Sequence, residues 1–243
     1  TFTSHFQEMK KAATLVLLIT IVGILIPSCA KDKDTTPAPT TANPAPHDTS
    51  SNTSSTPDAV LSATQGGGGV VHSATALFIA DGLMVSAGSV SINGLAMDSL
   101  FPGFYTISSN NSALDLSSGA VAWHVAGANG FTGFDRDLSG TAFPAVGNIT
   151  SDNLVHKASG YTFSCASMAG ADSVLFSVGF LLHKMVAGNA TSCTFSASEL
   201  AALSNGDNWS YISGYKYTTD TIGGKRIRFD KIRSSAATLT VSD

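Results

Sequence analysis

From Val70 onward, the chain alternates short apolar runs with Gly, Asn, Asp and Ser, the pattern of half-buried strands bounded by turns. Residues 70–79 predict one strand. Residues 85–95 predict a second, broken by Asn93-Gly94, a dipeptide suited to two-residue hairpin loops. Strands over 104–108, 114–116 and 120–125 follow, with Val121, Trp123 and Val125 on one face and Trp123 a core candidate. A second set begins near Asn148. It covers 160–166, 173–178, 180–186 and 191–197, then 209–218, 225–232 and 238–241, with Gly223-Gly224 as a turn. Residues 198–203 are the one helix-like stretch, with Ser198 placed to cap it.

The pattern therefore predicts an all-β protein, with one or two β-sandwich units of immunoglobulin-like size. The expected division is an N-terminal β domain over 70–147 and a C-terminal β-sandwich over 148–243. Composition supports strands over helices. Glu occurs only at Glu8 and Glu199 and Gln only at Gln7 and Gln65, while Val, Ile, Phe, Tyr and Thr are common.

The N-terminal region reads differently. Met9-Lys10-Lys11 opens an uncharged apolar run over 12–26 that is shorter than the roughly 20 residues a spanning helix needs. A basic start and a run of this length predict an export signal over 9–28, with residues 1–8 upstream of the start. The run ends Ile26-Pro27-Ser28-Cys29, which resembles the lipobox of bacterial lipoproteins, although Pro27 departs from the usual residue there. That resemblance implies cleavage before Cys29 and acylation of Cys29, so that membrane lipid holds the chain through this residue. Residues 29–69 then read as a linker. Its Thr, Pro, Ala and Ser cannot offset the entropy of ordering, and Gly66 to Gly69 form a second flexible point.

Ala30-Lys31-Asp32-Lys33-Asp34 resembles the surface-export signal of Bacteroidota lipoproteins. The segments Ala158-Ser159-Gly160-Tyr161-Thr162-Phe163, Ala171-Asp172-Ser173-Val174 and Ser192-Cys193-Thr194-Phe195-Ser196-Ala197-Ser198-Glu199-Leu200 are similar, loosely, to β-sandwich segments of uncharacterised surface lipoproteins from the same group. These resemblances imply an outer-membrane address facing the exterior and bring no activity with them. Asp34-Thr35-Thr36, Asp98-Ser99-Leu100, Asp172-Ser173-Val174 and Asp220-Thr221-Ile222 resemble that group's O-glycosylation motif.

Charge narrows the function classes. Charged residues make up 12% and the net charge is −4, so nothing suggests the basic face of a nucleic-acid binder. Trp209, Tyr211, Tyr215 and Tyr217 share one parity of one strand. Exposed, such rings could stack on sugars; buried, they would line the inside of a sandwich. Lys225, Arg226, Arg228, Lys231 and Arg233 crowd the next strand. They read as a solvated sheet edge or, through Arg226 and Arg228, as contacts to an anionic ligand.

Cys165 and Cys193 fall on apolar faces. They could form a disulfide closing about 28 residues or stay as buried thiols. Asp135-Arg136-Asp137-Leu138-Ser139-Gly140 matches the first half of a calcium loop, but Val146 stands where the closing acid belongs. No metal or other cofactor is expected. The scattered histidines His72, His124, His156 and His183 and the single Glu199 after Cys29 give no catalytic motif. The expected function is a non-catalytic binding or adhesion module for surface glycan or protein. An envelope hydrolase and a structural envelope component are the alternatives.

Overall fold

A computed structural model describes residues 56–66, 71–108 and 111–243. The expected export signal, Cys29 and most of the expected linker lie outside them. Residues Pro57–Asp243 form one compact body. It is almost entirely β, as the alternation predicts. In chain order the strands are β1 (Ala59–Gly66), β2 (Val71–Ala80), β3 (Leu83–Met84), β4 (Val90–Ile92), β5 (Leu95–Ala96), β6 (Asp98–Phe101), β7 (Phe104–Ile107), β8 (Ala122–Val125) and β9 (Phe134–Asp137). There follow β10 (Ala145–Val146), β11 (Leu154–His156), β12 (Tyr161–Ser164), β13 (Met168–Ala169), β14 (Ser173–Val178), β15 (Leu182–Ala187) and β16 (Ser192–Phe195). A short helix α1 (Ala197–Leu200) precedes β17 (Gly206–Ile222) and β18 (Lys225–Ser242).

One ten-stranded sheet dominates. Its order is β15-β14-β17-β18-β1-β2-β7-β6, with β11 also on β18 and β3 also on β2. Its axis is the hairpin β17–β18, paired without interruption from Gly206↔Val241 to Ile222↔Lys225. Gly223 and Gly224 turn it with φ of 57° and 79°, the doubly positive pair of a type I′ loop. The sequence predicts separate strands over 225–232 and 238–241; the structure joins them. Ser234, Ser235, Ala236 and Ala237 lack the bulk that marks a strand, yet each pairs with β17.

The strand β1 corrects a second expectation. The predicted linker runs to Gly69, but Ala59–Gly66 lies at the middle of the sheet, parallel to β18 and antiparallel to β2. Its small side chains explain both facts. Ala59, Leu61 and Ala63 are buried, and small residues give a weak apolar signal while letting layers approach closely.

Two cores lie along the sheet. The first gathers Leu61, Ala76, Phe78, Ile92, Tyr105, Trp123, Phe131 and, from β18, Ile227 and Phe229. It is closed by the four-stranded sheet β5-β4-β8-β9. The second gathers Phe163, Val174, Phe176, Phe195, Leu200, Ile212, Leu239 and Val241. Beside it are the two-stranded ribbons β10–β13 and β12–β16 and helix α1. Gly147 does not divide the two cores cleanly, because Val146 of β10 packs against the second core, and β17 and β18 belong to one sheet that serves both.

Two local details matter for the site. Gly214, mid-strand in β17, has Met168 Sδ and Pro144 Cβ at 2.9 and 3.0 Å from where a Cβ would stand. A side chain there would push the β10–β13 ribbon away. Helix α1 is capped by Ser196, not Ser198. The Ser196 hydroxyl accepts from the Glu199 amide, and the Glu199 carboxylate accepts from the Ser196 amide. This is a capping box, and it starts two residues earlier than the sequence suggests.

Candidate functional site

Directly opposite residues of antiparallel strands share a sheet face, so the register lays out the surface that carries the aromatic stripe. Trp209 faces Thr238. Tyr211 lies between Ser177 and Ala236, Ser213 between Leu175 and Ser234, and Tyr215 between Ser173 and Ile232. Tyr217 faces Asp230, whose neighbour on β1 is Ser62. On the other side, Ser177 continues to His183 and Leu175 to Met185 on β15.

The rings are not equally accessible. Trp209 is 51% and Tyr217 40% exposed, Tyr211 is half-buried, and Tyr215 is 5% exposed. Burial, with Tyr211 and Asp230 adding to it, pushes the Tyr215 hydroxyl well above the usual range for tyrosine. The stripe therefore has two open ends around a closed middle. Tyr215, Ile232 and Leu175 are buried outside both core clusters.

The Trp209 end is apolar. Trp209 and Tyr211 stand about 7 Å apart, two residues along a strand, with Met185, itself 43% exposed, on the same face. The Tyr217 end is polar. The Arg228 guanidinium lies 4.6 Å from the Tyr217 ring centre, and its Nε donates to Asp230 at 2.6 Å. Ser62 donates to the second Asp230 oxygen at 3.4 Å. Burial pushes the Asp230 carboxyl up, against the pull of Arg228 and Ser62. Asp172 accepts from the Tyr217 amide at 3.0 Å and from Lys216 at 2.8 Å, and the Lys216 and Tyr217 bonds outweigh desolvation to hold its carboxyl low.

The expected cluster of cations does not form one charged face. β18 alternates, so Arg226 and Arg228 lie on the aromatic side while Lys231 turns into the protein. Lys231 is 1% exposed. Its Nζ donates to the carbonyls of Gly119 at 2.7 Å, Leu138 at 2.8 Å and Thr141, and it lies over the Phe143 ring. Lys225 pairs with Asp58 at 3.4 Å, and Asp58 also accepts from the Arg226 amide at 2.8 Å. Arg233 donates to Gln65 at 3.1 Å. The sequence offers no signal for the Lys231 cage, because its acceptors are backbone oxygens far along the chain.

Cys165 and Cys193 are free thiols in this structure. They share a face but sit one rung apart: Phe163 opposes Cys193, and the Cys165 amide donates to Thr191. Diagonal neighbours of this kind are about 7–8 Å apart, beyond the usual span of a disulfide. Burial raises the pKa of both thiols, and for Cys193 the Lys184 ammonium opposes that rise.

The histidines go to separate places. His72 Nδ1 contacts the 114–116 segment. His124 pairs with Asp135 at 2.7 Å on the outer face of β8–β9. His156 bonds Ser242 at 3.0 Å. His183 contacts Ser177 Oγ and the Phe180 carbonyl, both at 3.0 Å. The His183–Ser177 pair has the reach of a base and a nucleophile, but Ser177 is fully buried and also donates to Gly179 at 2.8 Å. The pair fastens the β14–β15 hairpin tip.

The calcium-like stretch is committed elsewhere. Asp135 binds His124, Arg136 pairs with Asp220 at 2.7 Å, and Asp137 caps the Ser139 amide at 2.7 Å. Among the described residues no three His, Cys, Asp or Glu side chains gather as a metal site, and no helix is long and apolar enough to cross a membrane. No protein-family model and no curated protein matches the chain.

Proposed function

We propose that this protein is a lipid-anchored, non-catalytic binding module. In this reading it is held in the outer membrane through acylated Cys29 and uses the Trp209–Tyr211 end of its large sheet to contact a glycan. The observation that carries the binding reading is a tryptophan half open to solvent on a fully paired strand, with Tyr211 beside it. A rigid strand presents rings at low entropic cost, and a large flat apolar ring left in water favours stacking on an apolar sugar face. The Tyr217–Arg228–Asp230 group supplies polar atoms at the far end. The address rests on the Lys10-Lys11 flank, the apolar run and the Ile26-Pro27-Ser28-Cys29 motif.

A glycan array probed with the protein tests the binding reading. Binding that falls about tenfold in Trp209→Ala, the equivalent of roughly 1.4 kcal/mol, supports it; an array with no binding removes the sugar. Membrane fractionation of Cys29→Ser tests the anchor. Release into the soluble fraction supports acylation, and continued membrane retention overturns it.

A further inference from the structure

The large sheet ends in two strands that are managed in different ways. An edge strand offers unpaired backbone donors and acceptors to any extended chain, and soluble proteins blunt it with charge, bulges or short length. At one end β6 has four residues, a register irregularity between Ser99 and Phe101, and an exposed Asp98. At the other end β15 has six residues in unbroken register with β14 from Val178↔Leu182 to Ser173↔Ala187. Among the described residues β15 pairs on that side only.

The charges that would protect β15 are withdrawn. Lys184 is its one permanently charged residue. The Nζ of Lys184 is held by Glu199 at 2.8 Å and by the Thr194 carbonyl at 2.8 Å, over the Phe195 ring. His183 is fastened to Ser177 and Phe180, and burial lowers its pKa, which favours the uncharged ring. Large apolar side chains gather here instead. Met185 is 43% exposed on β15, and Phe180 and Leu181 are 48% and 68% exposed at the hairpin tip.

We propose that β15 is a self-association strand that pairs antiparallel with β15 of a second copy, so that the sheet continues through a two-fold dimer. Charge and apolar contact together set the register. An axis through Met185 sets Met185 against its symmetry mate, Lys184 against Val186 and His183 against Ala187, and every pair keeps its sheet face. An axis through Lys184 would oppose two lysines directly, which is unfavourable. The first register has no charged group facing another and puts the exposed methionines together at the centre. A closed isologous contact of this kind stops at two copies. The interface is independent of the glycan reading, because Met185→Lys leaves Trp209 and Tyr211 in place.

The test is sedimentation of the full chain in mild detergent, with far-UV circular dichroism as the folding control. The wild type sediments as a dimer with a micromolar dissociation constant. Met185→Lys, which sets two ammonium groups opposite each other on an exposed face, raises that constant at least tenfold without changing the spectrum. In a background with Cys165→Ser and Cys193→Ser, Met185→Cys crosslinks on mild oxidation to a species of twice the chain mass, and Leu83→Cys does not. A monomeric wild type at about 100 µM, a dimer unaffected by Met185→Lys, or equal crosslinking through Leu83→Cys would each overturn the proposal.

Discussion

Both halves of the large sheet tie down a lysine ammonium with backbone carbonyls, but they do so in different surroundings. In the first half Lys231 is 1% exposed and is met by three carbonyls from segments that close the core. In the second half Lys184 has a 33% exposed side chain, one carbonyl, and the Glu199 carboxylate that also completes the capping box of α1. The Lys231 ammonium therefore replaces water for one buried and two partly buried oxygens, whereas the Lys184 ammonium competes with water that is already present. A buried acceptor left without a partner costs about 1–3 kcal/mol, while an exposed ion pair contributes about 0–1 kcal/mol. The same side-chain type therefore fixes the loops of one core and only trims the edge of the other.

Among the largest effects should be that of Lys231→Ala, which leaves one buried and two partly buried acceptors without the ammonium and should cost about 3–5 kcal/mol in urea unfolding. Lys184→Ala should cost about 1 kcal/mol or less by the same measurement. Equal costs would remove the contrast. Trp123→Ala, in the first core at 1% exposure, should cost about 3–5 kcal/mol. The Trp123 indole nitrogen is buried without a partner, so Trp123→Phe should be much milder than Trp123→Ala.

Acid should act on the second half chiefly through Glu199. Lys184, then the Ser196 amide and hydroxyl, lower the Glu199 pKa from 4.5 to about 2. A depressed folded pKa means that the contribution is whole above about 4.5 and is lost as pH falls towards 2. Thermal melts of Glu199→Gln should therefore lose less stability over that interval than the wild type. The residual acid slope should come from carboxylates such as Asp172 and Asp137, which are also lowered. The smallest effect should be on stability in Trp209→Ala, within about 0.5 kcal/mol. A large loss there would mean that Trp209 is structural and would weaken the binding reading.

The sequence made the all-β class legible through alternation, and the turns at Asn93-Gly94 and Gly223-Gly224 through residues that tolerate positive φ. Trp123 was legible as core because Val121 and Val125 share its parity. Three features were not. The strand β1 hides in small side chains, and the continuity of β18 hides in a Ser/Ala stretch whose pairing partner lies across a turn. The Lys231 cage hides because carbonyl acceptors carry no side-chain identity. For the site, parity grouped Trp209, Tyr211, Tyr215 and Tyr217 correctly on one face, but parity says nothing about depth. The buried state of Tyr215 depends on β14 and on Ile232, neither of which is near it in sequence.

The parallel pairing of β1 with β18 has a mechanical consequence. Tension arriving from the residues ahead of Ala59 acts along β1, because Ala59 lies opposite Ile227 and Gln65 opposite Arg233. Trp209 lies towards the other end of the hairpin, opposite Thr238. A load between the two would shear all the rungs of β1 at once, on both its β2 and β18 sides, instead of peeling them one by one. A body pulled in this way resists rupture far better than one whose leading strand is unzipped from a free end.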